Sequence, residues 1–250
     1  MIKNQIINNF NNASITYDQV AHTQKIISND LIDLLYKNIN NKIFHRILDI
    51  GTGTGFTSEI LLSKNKNSNF VLNDIAEKML LQSQTKFHHQ NNFQYIPGDI
   101  ENQNTQNNLF SDHHYDLIVS SLSLQWVNNL EMLLKKILDR TKILAFTTLY
   151  KDTFQEITNN FKKNNLSPPT NDYPSFEDLS KMASTLSHEK KISIMKKQYF
   201  IKFKNFYEYK KYIIKLGAGI NFNKNSNHNL NYDSNCPINL NYNVFFCIIF

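Results

Sequence analysis

Short apolar blocks recur along this chain, each followed by more polar sequence with helical spacing. The blocks fall over 43–50, 70–74, 93–96, 115–121 and 143–149. Near-continuous runs such as Ile47-Leu48-Asp49-Ile50 and Leu117-Ile118-Val119 are the form of strands buried on both faces of a parallel sheet. Between them, helices are expected from Thr57 onward, over 77–87, and over 129–138 with Asn128 as cap. Residues 1–37 also predict helix, with Ile26, Ile27, Leu31, Leu34 and Leu35 forming an apolar face. After the fifth block the pattern predicts helices over 152–164 and 176–186 around Ser167-Pro168-Pro169. A strand over 192–203, a helix over 206–215 closed by Gly217-Ala218-Gly219, and a last strand over 240–250 follow. Strand and helix alternating in this way predict an α/β fold built on a mostly parallel sheet with helices on both faces. No internal repeat is present.

Composition narrows the class. Hydrophobic residues make up 41% of 250, enough for one sizeable core. No apolar run approaches the roughly 18–20 residues that span a bilayer, and the first residues lack a signal peptide's apolar stretch. Cys236 and Cys247 offer neither a disulfide framework nor zinc spacing. A soluble, cytoplasmic, monomeric protein without a metal is expected. The net charge of +6 comes almost wholly from lysine, since Arg46 and Arg140 are the only arginines. Nine lysines fall within 189–215 against Glu189 and Glu208, which reads as a docking face for an acidic protein, as an RNA surface or as a solvated face. No RNA-binding module accompanies them.

The chemistry concentrates at one turn. Ile47 through Phe56 runs from an apolar block into Gly51-Thr52-Gly53-Thr54-Gly55, which holds three of the chain's six glycines. A strand entering a glycine-rich turn at a helix start is how doubly wound folds hold a nucleotide-like ligand. Dinucleotide binders place their third glycine where this chain has Phe56, and no P-loop signature is present. Asp74, 25 residues beyond Asp49, stands where such folds place an acid for ribose hydroxyls. With Glu77 it also reads as a helix-start signature. Asp99, after the third strand, could accept from an adenine amine while Ile100 covers the ring. Trp126, the only tryptophan, reads either as a wall of an acceptor pocket or as packing beneath the next helix. His88-His89 and His113-His114 lie in polar stretches and read as solvated.

Asp49 through Gly55 resembles motif I of the class I S-adenosylmethionine-dependent methyltransferases. Further segments are similar to the malonyl-acyl-carrier-protein O-methyltransferases of biotin synthesis. They are 10–17 with Ala21 and Gln24, Gly98-Asp99-Ile100-Glu101, Ser121-Leu122-Ser123-Leu124-Gln125-Trp126, Phe146-Thr147-Thr148-Leu149, 215–219 and 237–242. Thr52 stands where that family usually has Cys, a Gly-Gly before the fifth strand is missing, and the stretch around 221–235 departs from the family pattern. The resemblance implies a Rossmann-like class I methyltransferase fold with a seven-stranded sheet. Residues 1–41 would be a helical cap and 42–150 the S-adenosylmethionine-binding core. Residues 151–250 would be a helical insertion plus the strands that complete the sheet, all in one structural domain. It implies cofactor contacts from Asp49, Gly51, Thr52, Gly53, Gly55, Asp74, Ile75, Asp99, Ile100 and Ser121. The acceptor would be the free carboxylate of malonyl-acyl carrier protein or malonyl-CoA, with Tyr17, Gln125, Trp126 and Arg140 as candidate contacts and no catalytic side chain beyond positioning. Parts of 74–77 and 120–128 are also similar to a respiratory complex I assembly factor, and another small-molecule methyltransferase is the remaining alternative.

Overall fold

The computed structural model describes residues 2–40, 42–110, 114–163, 165, 171–219 and 237–250. Its strands are β1 (Arg46–Ile50), β2 (Asn69–Asp74), β3 (Phe93–Pro97), β4 (Tyr115–Ser121), β5 (Thr141–Leu149), β6 (Ile192–Phe203) and β7 (Ile238–Ile249). They form one seven-stranded sheet in the order β3-β2-β1-β4-β5-β7-β6. β1 to β5 are parallel, and β7 runs antiparallel to both of its neighbours. This is the class I methyltransferase fold. The sheet order reverses between β1 and β4, and ligands of open α/β sheets bind outside the strand ends at such a point.

The near-continuous apolar blocks follow from burial on both faces. Alternate residues of one strand point to opposite sides. Ile47, Leu117, Val119, Ile143, Ala145, Val244 and Phe246 enter one core, while Leu48, Ile118, Leu144, Phe146, Phe245 and Cys247 enter the other. Helices α1 (Ile2–Ala13), α2 (Tyr17–Val20) and α3 (His22–Ile39) open the chain. α3 covers the first core with Ile27, Leu31, Ile32 and Leu35. Ile26, expected on that face, is 52% exposed, and Ile32 is buried in its place. A turn of helix at 3.6 residues carries 27, 31 and 35 along one stripe, and 32 lies beside it where 26 does not.

α4 (Phe56–Lys64), α5 (Glu77–Lys86), α6 (Gln103–Phe110), α7 (Leu130–Leu138), α8 (Gln155–Lys163), α9 (Phe176–Ser187) and α10 (Phe206–Lys215) complete the layers. α6 was not legible from periodicity because its buried face includes Thr105 and Gln106 beside Leu109 and Phe110. The cap of α7 is Asn129, whose Oδ1 accepts from the Met132 N–H at 3.0 Å, and not Asn128. Asn128 instead donates to Glu101. Ser167-Pro168-Pro169, His113, Cys236 and the stretch 221–235 lie outside the described residues.

Within the Lys-rich segment, Lys196 and Lys197 lie on opposite faces of the sheet. β6 is the sheet's edge, and its alternation separates neighbouring lysines. Lys196 lies over the Phe176 ring of α9, whereas Lys197 pairs with Asp30 of α3 at 2.8 Å. Lysines along an edge strand also oppose pairing with another sheet. Among the described residues no helix is long and apolar enough to cross a membrane.

Candidate active site

Two adjoining cavities lie at the C-terminal ends of the parallel strands. The first is walled by the β1–α4 turn, the ends of β2, β3 and β4, and by α1 laid across the opening. Gly51, Thr52, Gly53, Asp74, Ile75, Asp99, Ile100 and Ser121 all border it. Gly51 has φ +66°, and a Cβ there would lie 2.2 Å from Ser123 Cβ, so the turn and the β4 loop touch backbone to side chain. Gly53 has φ +57° with nothing within 4 Å of where its Cβ would stand. That glycine keeps space clear on the cavity side, as a ligand cradle requires.

Asp49 and Gly55 do not border the cavity. Asp49 is 1% exposed, and its Oδ2 accepts from Thr52 Oγ1 at 2.9 Å and Ser58 Oγ at 2.7 Å. It therefore shapes the turn from behind. Its Oδ1 is buried without a partner among the described residues. Gly55 packs against Phe87, where a Cβ would come within 2.7 Å. Both were expected as cofactor contacts, and the structure makes them supports of the turn.

Asp74 closes the loop over β2. Its Oδ2 accepts from the Gly53 N–H at 2.8 Å and its Oδ1 from the Ala76 N–H at 2.7 Å. The cap position of α5 is Ala76 without a side-chain bond, so the alternative helix-cap role for Asp74 is not what the fold uses. Burial pushes the Asp49 and Asp74 carboxyls up to about 6 each, opposed by the hydrogen bonds they accept. Asn73 donates from Nδ2 to the Ile96 and Gly98 carbonyls, which fixes the turn that presents Asp99. Asp99 and Glu101 both accept from Lys3 of α1, the former at 2.5 Å. Glu101 also accepts from the Asn128 and Asn129 N–H groups, and after the opposing effect of burial these bonds and Lys3 hold its carboxyl below the usual range.

The second cavity shares Phe10, Tyr17, Gln24, Leu122 and Trp126 with the first. Trp126 packs edge-on against Phe10 with ring centroids 5.9 Å apart. Gln125 borders only this chamber, where Asn171, Tyr173 and Tyr242 also contribute. Its described lining carries no charged side chain. Burial raises the Tyr17, Tyr173 and Tyr242 hydroxyls well above the ordinary phenol range, so they stay protonated. Arg140, expected as an acceptor contact, lies elsewhere. It directly precedes β5, its carbonyl accepts from the Tyr115 N–H at the start of β4, and it borders a separate depression with Gln103 and Lys136. That is the opposite edge of the sheet from the two cavities, a placement fixed by its position before a parallel strand. Arg46 likewise sits at the start of β1, over the Tyr115 ring at 5.2 Å.

Residues 47–142 match the methyltransferase domain family. The malonyl-acyl-carrier-protein O-methyltransferase of Priestia megaterium is 32% identical over 219 residues, which cover 80% of this chain and 77% of that protein. This chain belongs to the S-adenosylmethionine-dependent methyltransferase family that includes those enzymes. The Bacillus cereus protein of the same name is 32% identical over 157 residues, a match that spans only 56% of its length. In fold, the magnesium protoporphyrin IX methyltransferase of Synechocystis superposes with a TM-score of 0.57 at 13% identity, over 93% of this chain and 85% of that one.

S-adenosyl-L-methionine is thus the cofactor of this methyltransferase, and the first cavity suits it. A cleared glycine cradle, acids at the ends of β2 and β3, and apolar Ile75 and Ile100 match a ligand with a charged amino-acid end, hydroxyls and a flat ring. Several lining residues carried no role in the sequence reading. Lys3 and Ile6 come from α1, and Met79 from α5. Gln24 and Tyr242 stood within segments of family resemblance without a function assigned to either.

Proposed function

We infer that this methyltransferase esterifies the free carboxylate of a malonyl thioester, borne by acyl carrier protein or coenzyme A, and so supplies a step of biotin synthesis. The observation that carries this reading is the second chamber, which has no charged side chain among its described lining and shares Tyr17, Gln24 and Trp126 with the first cavity. The names of the relatives, malonyl-acyl-carrier-protein O-methyltransferases, support it.

In this account the Gly51–Gly55 turn takes the methionine end of the cofactor, Asp74 the ribose hydroxyls, and Asp99 with Ile100 the adenine. When bound, the cofactor supplies a methyl group on a sulfonium cation. A malonyl carboxylate has a pKa near ~4 and is already ionised at neutral pH, so no side chain need remove a proton. The chain's own task is to hold the acceptor in line and keep water out. Phe10, Leu122, Trp126, Leu149 and Phe154 provide dry walls, and protonated tyrosines provide donors.

Methyl-labelled cofactor incubated with malonyl-acyl carrier protein should give a base-labile methyl ester on the malonyl group. Acetyl-acyl carrier protein, which lacks the second carboxyl, should give none. Label transferred equally to both, or to neither while the cofactor binds, would refute the assignment.

A further inference from the structure

Gln24 stands at the junction of the two cavities with half of its amide unused. It lies on α3, is 7% exposed, and borders both chambers. Its Nε2 is 3.2 Å from the Tyr242 hydroxyl, which is in turn 3.1 Å from the Tyr212 hydroxyl. Its Oε1 is buried and has no hydrogen-bond partner among the described residues. A buried amide oxygen left without a donor is unfavourable, so such an atom at a cavity wall points to a ligand or to a rotated amide.

Rotation exchanges the two atoms and leaves an N–H, rather than an oxygen, to be satisfied by a ligand. The oxygen and nitrogen of a glutamine amide occupy nearly the same shape, and the hydrogen-bond network decides between them. With the amide turned, Tyr212 donates to Tyr242, Tyr242 donates to Gln24 Oε1, and Gln24 Nε2 becomes the atom without a protein partner, on a side chain that borders both cavities. Every proton in the chain then points one way. A carboxylate can only accept, so it selects this arrangement, and each bond in the series strengthens the next. The chain remains uncharged throughout, which matters beside a cationic cofactor: a lysine or arginine here would repel the sulfonium.

We propose that Gln24, backed by Tyr242 and Tyr212, is the residue that binds and orients the acceptor carboxylate. This rests on the malonyl-carboxylate reading above. Gln125 does not fill the same role, because its Nε2 already donates to the Leu122 carbonyl at 2.6 Å and fixes its oxygen as the free atom.

The test uses the full chain loaded with S-adenosylhomocysteine, titrated with malonyl-pantetheine and separately with its methyl ester. Gln24→Glu keeps the side chain's shape but replaces the unpartnered donor with an anionic oxygen. It should weaken malonyl-pantetheine by about 10- to 100-fold, the span for a hydrogen bond to a charged group. Binding of the neutral methyl ester and of S-adenosylhomocysteine should change by less than about threefold, within the context scatter for a polar contact. Gln24→Met, which removes the donor without adding charge, should lose affinity for the anion selectively but less severely. Tyr242→Phe should give a smaller loss with the same preference for the neutral ester, since it acts through Gln24. Equal losses for acid and ester in both Gln24 variants, or unchanged affinity for the acid, would overturn the assignment. Failure of the unmodified protein to bind malonyl-pantetheine while it binds S-adenosylhomocysteine would instead remove the malonyl reading, and this inference with it.

Discussion

Three glycines in one turn serve different ends, and single substitutions separate them. Gly51→Ala drives a methyl group into Ser123 and should destabilise the fold. Gly53→Ala meets open space, so its cost to the apo protein is confined to the left-handed backbone, about 1–2 kcal/mol. It should nevertheless cut cofactor affinity by more than about tenfold, because the added carbon enters the cradle. Calorimetry with S-adenosylhomocysteine beside a thermal melt checks this, and a Gly53→Ala protein with undiminished affinity would contradict it. The two buried acids behind and beside that turn give a pH signature. An acid raised from about 4 to about 6 binds more protons when folded, so its stabilising contribution is complete below the lower value and lost as pH rises through the upper. Relative to the parent, cofactor-free Asp49→Asn and Asp74→Asn should therefore gain in Tm between pH 5 and pH 7. An offset that does not vary with pH would count against the burial of charge at these sites. Spacing alone could bring Asp74 to the site but could not tell a residue lining the cavity from one behind it. Asp49 and Gly55 sit in the same seven-residue stretch as Gly53, and only the path of the turn separates their roles.

At the level of elements, α1 was legible as a helix of the cap but not as a wall of the cofactor cavity. Its helix crosses the cofactor cavity and is pinned at one end by Lys3 to Asp99 and Glu101. At the other, Phe10 meets Trp126, and Asn11 accepts from the Lys78 N–H at 2.9 Å. A ligand that reaches Asp99 meets Lys3 of this helix on the same carboxylate. Lys3→Gln should raise both the association and the dissociation rate of S-adenosylhomocysteine by about two- to fivefold, the span of partly exposed ion pairs. Added salt should do the same to the parent and little to the variant. Stopped-flow rates identical in parent and variant would show that α1 does not gate the cavity. The inner parallel strands β1, β2, β4 and β5, in contrast, were legible almost to their ends, because burial on both faces leaves a continuous apolar run. β6 and α10 were also legible in place, but not in what their lysines do. An alternating strand sends Lys196 and Lys197 to opposite faces whatever the local charge density.

Across the molecule, the sheet order fixes where chemistry can happen. Both cavities lie at the C-terminal ends of the parallel strands, and Arg140 and Arg46, at the opposite ends, line neither. Reading Arg140 as an acceptor contact followed from the need for a cation, and topology denies it. Among the described residues the second chamber has no positive side chain, and in the proposed reaction the cofactor's sulfonium is a counter-charge for the anionic acceptor. Binding of malonyl-pantetheine should then depend on which cofactor state fills the first cavity. The decisive measurement compares its Kd for protein saturated with S-adenosylhomocysteine and for protein saturated with an unreactive analogue bearing a protonated amine at the sulfonium position. The account predicts tighter binding beside the cationic analogue by about tenfold or more, with no such preference for the neutral methyl ester. Equal affinity of the malonyl acid in both states would contradict it.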